Sequence, residues 1–123
     1  MEDLEKMEIE KQLAKFFPDA DAREIIISSY TPCFTANRSY FIAEKLTDTD
    51  FYKKKDFYER NAALYAAFLN LSEVITCDDD FKCYLSEIEN FFAFRLACLF
   101  CRSLGYVTRE DEEGGSVFLV KEA

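Results

Sequence analysis

Few residues in this chain have the types and spacing that do chemistry. Cys98-Leu99-Phe100-Cys101 has the C-x-x-C spacing of redox and zinc sites, and Cys77 and Cys83 add two more sulfurs nearby. Cys98 and Cys101 fall inside a strongly periodic apolar run, which reads as core cysteines without metal. A thioredoxin-like site would instead need the motif after a strand, at a helix start. Asp78-Asp79-Asp80 offers hard oxygen ligands but lacks the glycine that a calcium loop requires at its sixth position. The cluster therefore reads as a helix start, where carboxylates meet the positive end of the dipole. Lys53-Lys54-Lys55 with Arg60 is the one basic cluster, and it reads as the wet side of a helix or as a patch that touches a phosphate or an acidic partner.

The chain contains no histidine, so the side chain that most often moves protons near neutrality is missing and serines have no such base to activate them. Three glycines cannot build a phosphate-cradling loop or a dinucleotide-binding turn. Glu87 and Glu89 lie two apart on a helix and diverge, which defeats glycosidase-type acid pairs. These absences point away from an enzyme and away from any bound cofactor or metal.

The elements that must hold these residues belong to a small chain. Its 123 residues, half of them apolar and 16% aromatic, predict one domain over 1–123 with a Phe-rich core. Twenty-four acids against fifteen bases give a net charge of −9, which opposes direct binding to nucleic acid or to an anionic membrane. An odd cysteine count, the absence of a basic and apolar leader at Met1-Glu2-Asp3-Leu4, and no apolar run of spanning length predict reduced thiols in a cytoplasmic, membrane-free setting.

Periodicity predicts a mainly α fold: a compact bundle of four to five helices with a C-terminal β-hairpin at about 105–121. The first helix spans 2–17, with Leu4, Met7, Leu13, Phe16 and Phe17 on or beside its apolar face, and Pro18 ends it. A capping box at Asp21-Ala22-Arg23-Glu24 opens a second helix over 21–30. Thr35 caps a third over 36–46, carrying Tyr40, Phe41 and Leu46. Thr47-Asp48-Thr49-Asp50 opens one long helix through Phe57, Leu64, Phe68, Leu71 and Ile75. The aspartate cluster opens the last, on which Phe81, Leu85, Ile88, Phe92, Leu96 and Leu99 repeat before Leu104-Gly105 ends it.

The run Arg102-Ser103-Leu104-Gly105-Tyr106-Val107-Thr108-Arg109, continued by Gly114-Gly115-Ser116-Val117-Phe118-Leu119-Val120, resembles the end of winged-helix domains, where a helix leads into a two-stranded wing. The resemblance covers about twenty residues. In DNA-binding members the groove-entering helix is basic, whereas this one offers only Arg95 and Arg102 and the tip is acidic. A winged fold here therefore implies a protein-binding version.

Function is expected to be a non-enzymatic interaction module. Asp78, Asp79 and Asp80 with the tip acids Glu110, Asp111, Glu112 and Glu113 would engage a basic, nucleic-acid-binding protein surface as an inhibitor or adaptor; in composition the chain is similar to phage-encoded DNA mimics. Two other readings stand beside it. One is a winged-helix-like nucleic-acid-binding regulator using Lys53, Lys54, Lys55 and Arg60 or Arg109. The other is a structural subunit that buries aromatics against a copy of itself as a homodimer.

Overall fold

A computed structural model describes residues 3–31, 36–110 and 117–121. The protein is mainly helical, with six helices among the described residues: α1 (Asp3–Phe16), α2 (Ala20–Ser28), α3 (Ala36–Thr47), α4 (Asp50–Lys53), α5 (Phe57–Val74) and α6 (Asp79–Ser103). Tyr106–Glu110 (β1) and Val117–Lys121 (β2) are extended and paired antiparallel, with Tyr106 opposite Lys121 and Glu110 opposite Val117. The expected hairpin turn at 111–116 and the expected cap at Thr35 lie outside the described residues.

The helix starts follow from short oxygen-bearing side chains that accept orphan amides. The side chain of Asp78 accepts from Phe81 N at 3.0 Å and so opens α6. Asp19, rather than Asp21, opens α2: its carboxylate accepts from Asp21 N at 3.0 Å, two residues before the predicted capping box. At the far end of α6, Gly105 takes a φ of +90°, the left-handed conformation that glycine adopts without a Cβ penalty.

The single long helix expected from Thr47 onward is two helices. Asp56 accepts from Glu59 N at 2.8 Å and starts α5 afresh, while Arg60 turns back to donate to the carbonyls of Lys55 (2.9 Å) and Lys53 (3.5 Å). One arginine thus satisfies carbonyls that the break leaves without helical partners. The buried hydroxyls of Thr47 and Thr49 add further hydrogen bonds to the carbonyls of Ala43 and Leu46 at the end of α3.

The core joins Ile9, Leu13 and Phe17 to Ile42, Leu46, Leu64, Phe68, Leu71, Phe81, Tyr84, Leu85, Ile88 and Phe92. Edge-to-face contact of Phe17 with Phe68 (5.1 Å) and stacking of Phe68 on Phe92 (5.9 Å) tie α1, α5 and α6 together. Two sequence expectations choose the wrong stripe. In α1 the buried residues are Ile9, Leu13 and, just beyond, Phe17, each four apart, while Leu4 and Met7 are 80% and 65% exposed. At 100° per residue Met7 lies on the far side of the helix from Ile9. In α3 the stripe is Ser39, Ile42, Ala43 and Leu46, and Tyr40 and Phe41 face out. The cysteines also leave the core: Cys98 and Cys101 are half-buried, and Cys77 and Cys83 are exposed, all as free thiols.

Two buried phenols give the fold a pH signature. Tyr84 donates to Ile26 O at 2.6 Å and is held well above the usual tyrosine range by burial, while burial and then the Asp19 carboxylate push Tyr52 up to about 12. Because these protons are held more tightly folded than unfolded, the stabilisation is complete below the unfolded value of about 10 and lost as pH climbs through the folded one. Urea midpoints should therefore fall above about pH 10, and less steeply in Tyr52→Phe. A phenolate absorbance titration in which all seven tyrosines ionise together on the folded chain would contradict this.

Candidate functional site

The start of α6 is the place where acidic side chains converge. Asp78 spends one carboxylate oxygen on the helix cap, and Asp79 and Asp80 follow exposed in the first turn, where the helix dipole favours negative charge. The structure adds two acids that the local sequence does not signal. Partial desolvation, and then the carboxylates of Glu5, Asp78 and Glu8, push the Cys77 thiol up, so the outer face of α1 lies within electrostatic reach of this loop. Tyr30 borders the same cluster: burial first, then Asp78 and Asp80, raise its phenol. Glu5 and Glu8 of α1 thus act on Cys77 together with the cap residue Asp78, beside Asp79 and Asp80 in the first turn of α6, a grouping that the packing of α1 beside the α5–α6 turn creates.

Glu110, the described member of the second acidic cluster, is not brought to the first. Helix α6 spans 25 residues, about 37 Å, and β1 leaves from its opposite end. Glu110 closes β1, whereas Asp111, Glu112 and Glu113 lie outside the described residues. A five-residue strand covers only about 17 Å, too little to return Glu110 to the start of α6.

The basic cluster is partly consumed by structure. Arg60 is bound to the backbone carbonyls at the α4–α5 break and lies 5.9 Å from the centre of the Phe57 ring, and Lys55 lies 5.7 Å from that of Phe51. Lys53 and Lys54 are exposed. Among the described residues no group of three or more potential ligands gathers to hold a metal ion, and no helix is long and apolar enough to cross a membrane.

A buried polar junction, invisible in the linear pattern, lies between α3, α5 and α6. The Arg95 side chain, 12% exposed, donates to Asn61 Oδ1 at 3.1 Å and pairs with Glu44. Its guanidinium stands 4.8 Å from the centre of the Phe91 ring and 5.7 Å from that of Phe57. Asn61 in turn donates to Phe57 O at 2.6 Å. Every strong group here is committed to another part of the chain, so the junction fixes helices rather than exposing a reactive atom.

A shallow groove of about 390 Å³ between α1 and α2 is lined by Glu10, Leu13, Arg23, Glu24, Ile27 and Ser28. Arg23, the cation among its described lining residues, donates to Phe17 O at 2.6 Å. No protein-family model, curated protein or solved structure matches this chain.

Proposed function

We propose that this protein is a non-enzymatic acidic interaction module that engages a basic protein surface, as an inhibitor or adaptor occupying a groove shaped for phosphate. The observation that carries this reading is the convergence of Glu5 and Glu8 with Asp78, Asp79 and Asp80 around the start of α6. Carboxylates clustered on a helical framework present a concentrated negative field, and such a field raises the encounter rate with a cationic patch. In the finer architecture of this reading, β1 and β2 close into a hairpin through 111–116. Its acids Glu110, Asp111, Glu112 and Glu113 then form a second, separate contact, with a protein-binding wing in place of a nucleic-acid-binding one. The commitment of Arg60 to backbone carbonyls counts against the basic cluster as a phosphate site.

The test is comparative capture in the cytoplasm of the native host. The full chain and an Asp78→Asn/Asp79→Asn/Asp80→Asn variant serve as baits at low and at raised salt. The wild type should retain a basic protein that both the variant and the raised salt release. Equal retention by both baits would contradict the proposal.

A further inference from the structure

Along one exposed side of α6, Asp80, Glu87, Phe91, Phe94, Cys98 and Arg102 follow at intervals of seven, four, three, four and four, which places them in a single stripe. Phe91 and Cys98 are half-buried and the other four are exposed. Helix α3 widens the middle of the stripe: the Tyr40 ring lies 5.7 Å from Phe91 and 5.7 Å from Phe41, and Phe41 and Phe94 are 64% and 51% exposed. A contiguous aromatic surface of this kind on a chain of this size marks a contact site.

The charges along the stripe determine what covers it. On the stripe itself the acids Asp80 and Glu87 precede Phe91 and Arg102 follows it, while Glu89 turns away to accept from Ser72 and Arg95 is paired with Glu44. Asp80 and Arg102 stand eleven residues either side of Phe91, about 16 Å each way along the helix. This pattern is complementary to itself when reversed.

We infer that the occupant is a second copy of this chain, docked with the two α6 helices antiparallel about a two-fold axis near Phe91. Phe91, Phe94, Tyr40 and Phe41 of each copy form the centre, and Asp80 of one copy stands level with the partner's Arg102 at both ends. An isologous contact of this form uses one patch twice and closes on itself. The neutral, aromatic centre also lets two chains of charge −9 approach without like charges meeting. Four partly exposed rings supply on the order of 400 Å² per copy, half of the roughly 800 Å² of a standard interface, and the charged rim supplies the remainder. The inference shares Asp80 with the acidic-face reading but is tested without any other protein, so the two can fail separately.

Sedimentation equilibrium of the full chain from micromolar to sub-millimolar concentration should show the mass rise from 14.4 kDa towards twice that value. Phe94→Glu should hold the mass at the monomer value while leaving the helical circular dichroism unchanged. Arg102→Asp should weaken the dimer about tenfold, and Asp80→Arg/Arg102→Asp should restore it, because each end then carries the reversed pair. A wild type that stays monomeric throughout, as it would if this face served an unrelated protein, overturns the inference. Dimerisation of Phe94→Glu and Arg102→Asp with wild-type affinity overturns it equally.

Discussion

Replacing Phe92 with alanine should cost about 3–5 kcal/mol of unfolding free energy, the usual price of emptying a buried aromatic site. The ring is fully buried, stacked on Phe68 at 5.9 Å and in edge contact with Phe91 at 6.3 Å, so neighbours on α5 and α6 both lose contacts. Phe68 itself meets Phe17, and the cavity therefore opens where α1, α5 and α6 meet and cannot collapse by moving one helix. Against a total of about 5–15 kcal/mol, a loss of this size shifts the urea midpoint far towards water. Phe94, two residues along and facing out, provides the control: its alanine variant should change stability by less than about 1 kcal/mol. Equal effects at the two positions would show that the register of α6 is wrong.

Arg95→Ala should destabilise by about 2–4 kcal/mol, because it leaves the buried Asn61 carbonyl without a donor and removes the cation from between aromatic rings. The Glu44 carboxylate contributes less, since its side chain is 44% exposed and water can replace the lost partner. Glu44→Gln should therefore cost under about 1 kcal/mol. Arg95→Lys should not rescue the loss, as one ammonium cannot reach Asn61 and Glu44 in the fork geometry of a guanidinium. Denaturant unfolding of the three variants checks the order. A lysine variant as stable as the wild type would show that charge alone, not the shared geometry, holds the junction.

The sequence made some of this legible and concealed the rest for physical reasons. The course of α6 was readable because its apolar repeat runs through Phe81, Leu85, Ile88 and Phe92 and is bracketed by an aspartate cap and Gly105. The break before α5 was not, because Lys53-Lys54-Lys55 has good helical propensity and the decisive event is Arg60 folding back on the carbonyls of Lys53 and Lys55. In α1 and α3 two apolar stripes compete, and only the neighbouring helices decide that Ile9 and Ile42 turn inward while Met7 and Phe41 turn outward. Of the candidate site, Asp78, Asp79 and Asp80 stood out as a local run. Glu5 and Glu8, seventy or more residues away in the chain, joined them only through tertiary packing. The Arg95 junction draws one residue from each of three helices, so no local window contains it.

The central claim is that the carboxylates at the start of α6 act by attracting a cationic protein surface. Stopped-flow association with the captured basic protein, for the wild type and for Asp78→Asn/Asp79→Asn/Asp80→Asn at two salt concentrations, addresses it directly. Screening acts over roughly 8 Å at physiological ionic strength, so the wild-type rate should fall steeply with salt. The variant should associate more slowly at low salt while dissociating at nearly the wild-type rate. Equal association rates at low salt would contradict the account and leave the acidic end of α6 as solvated surface.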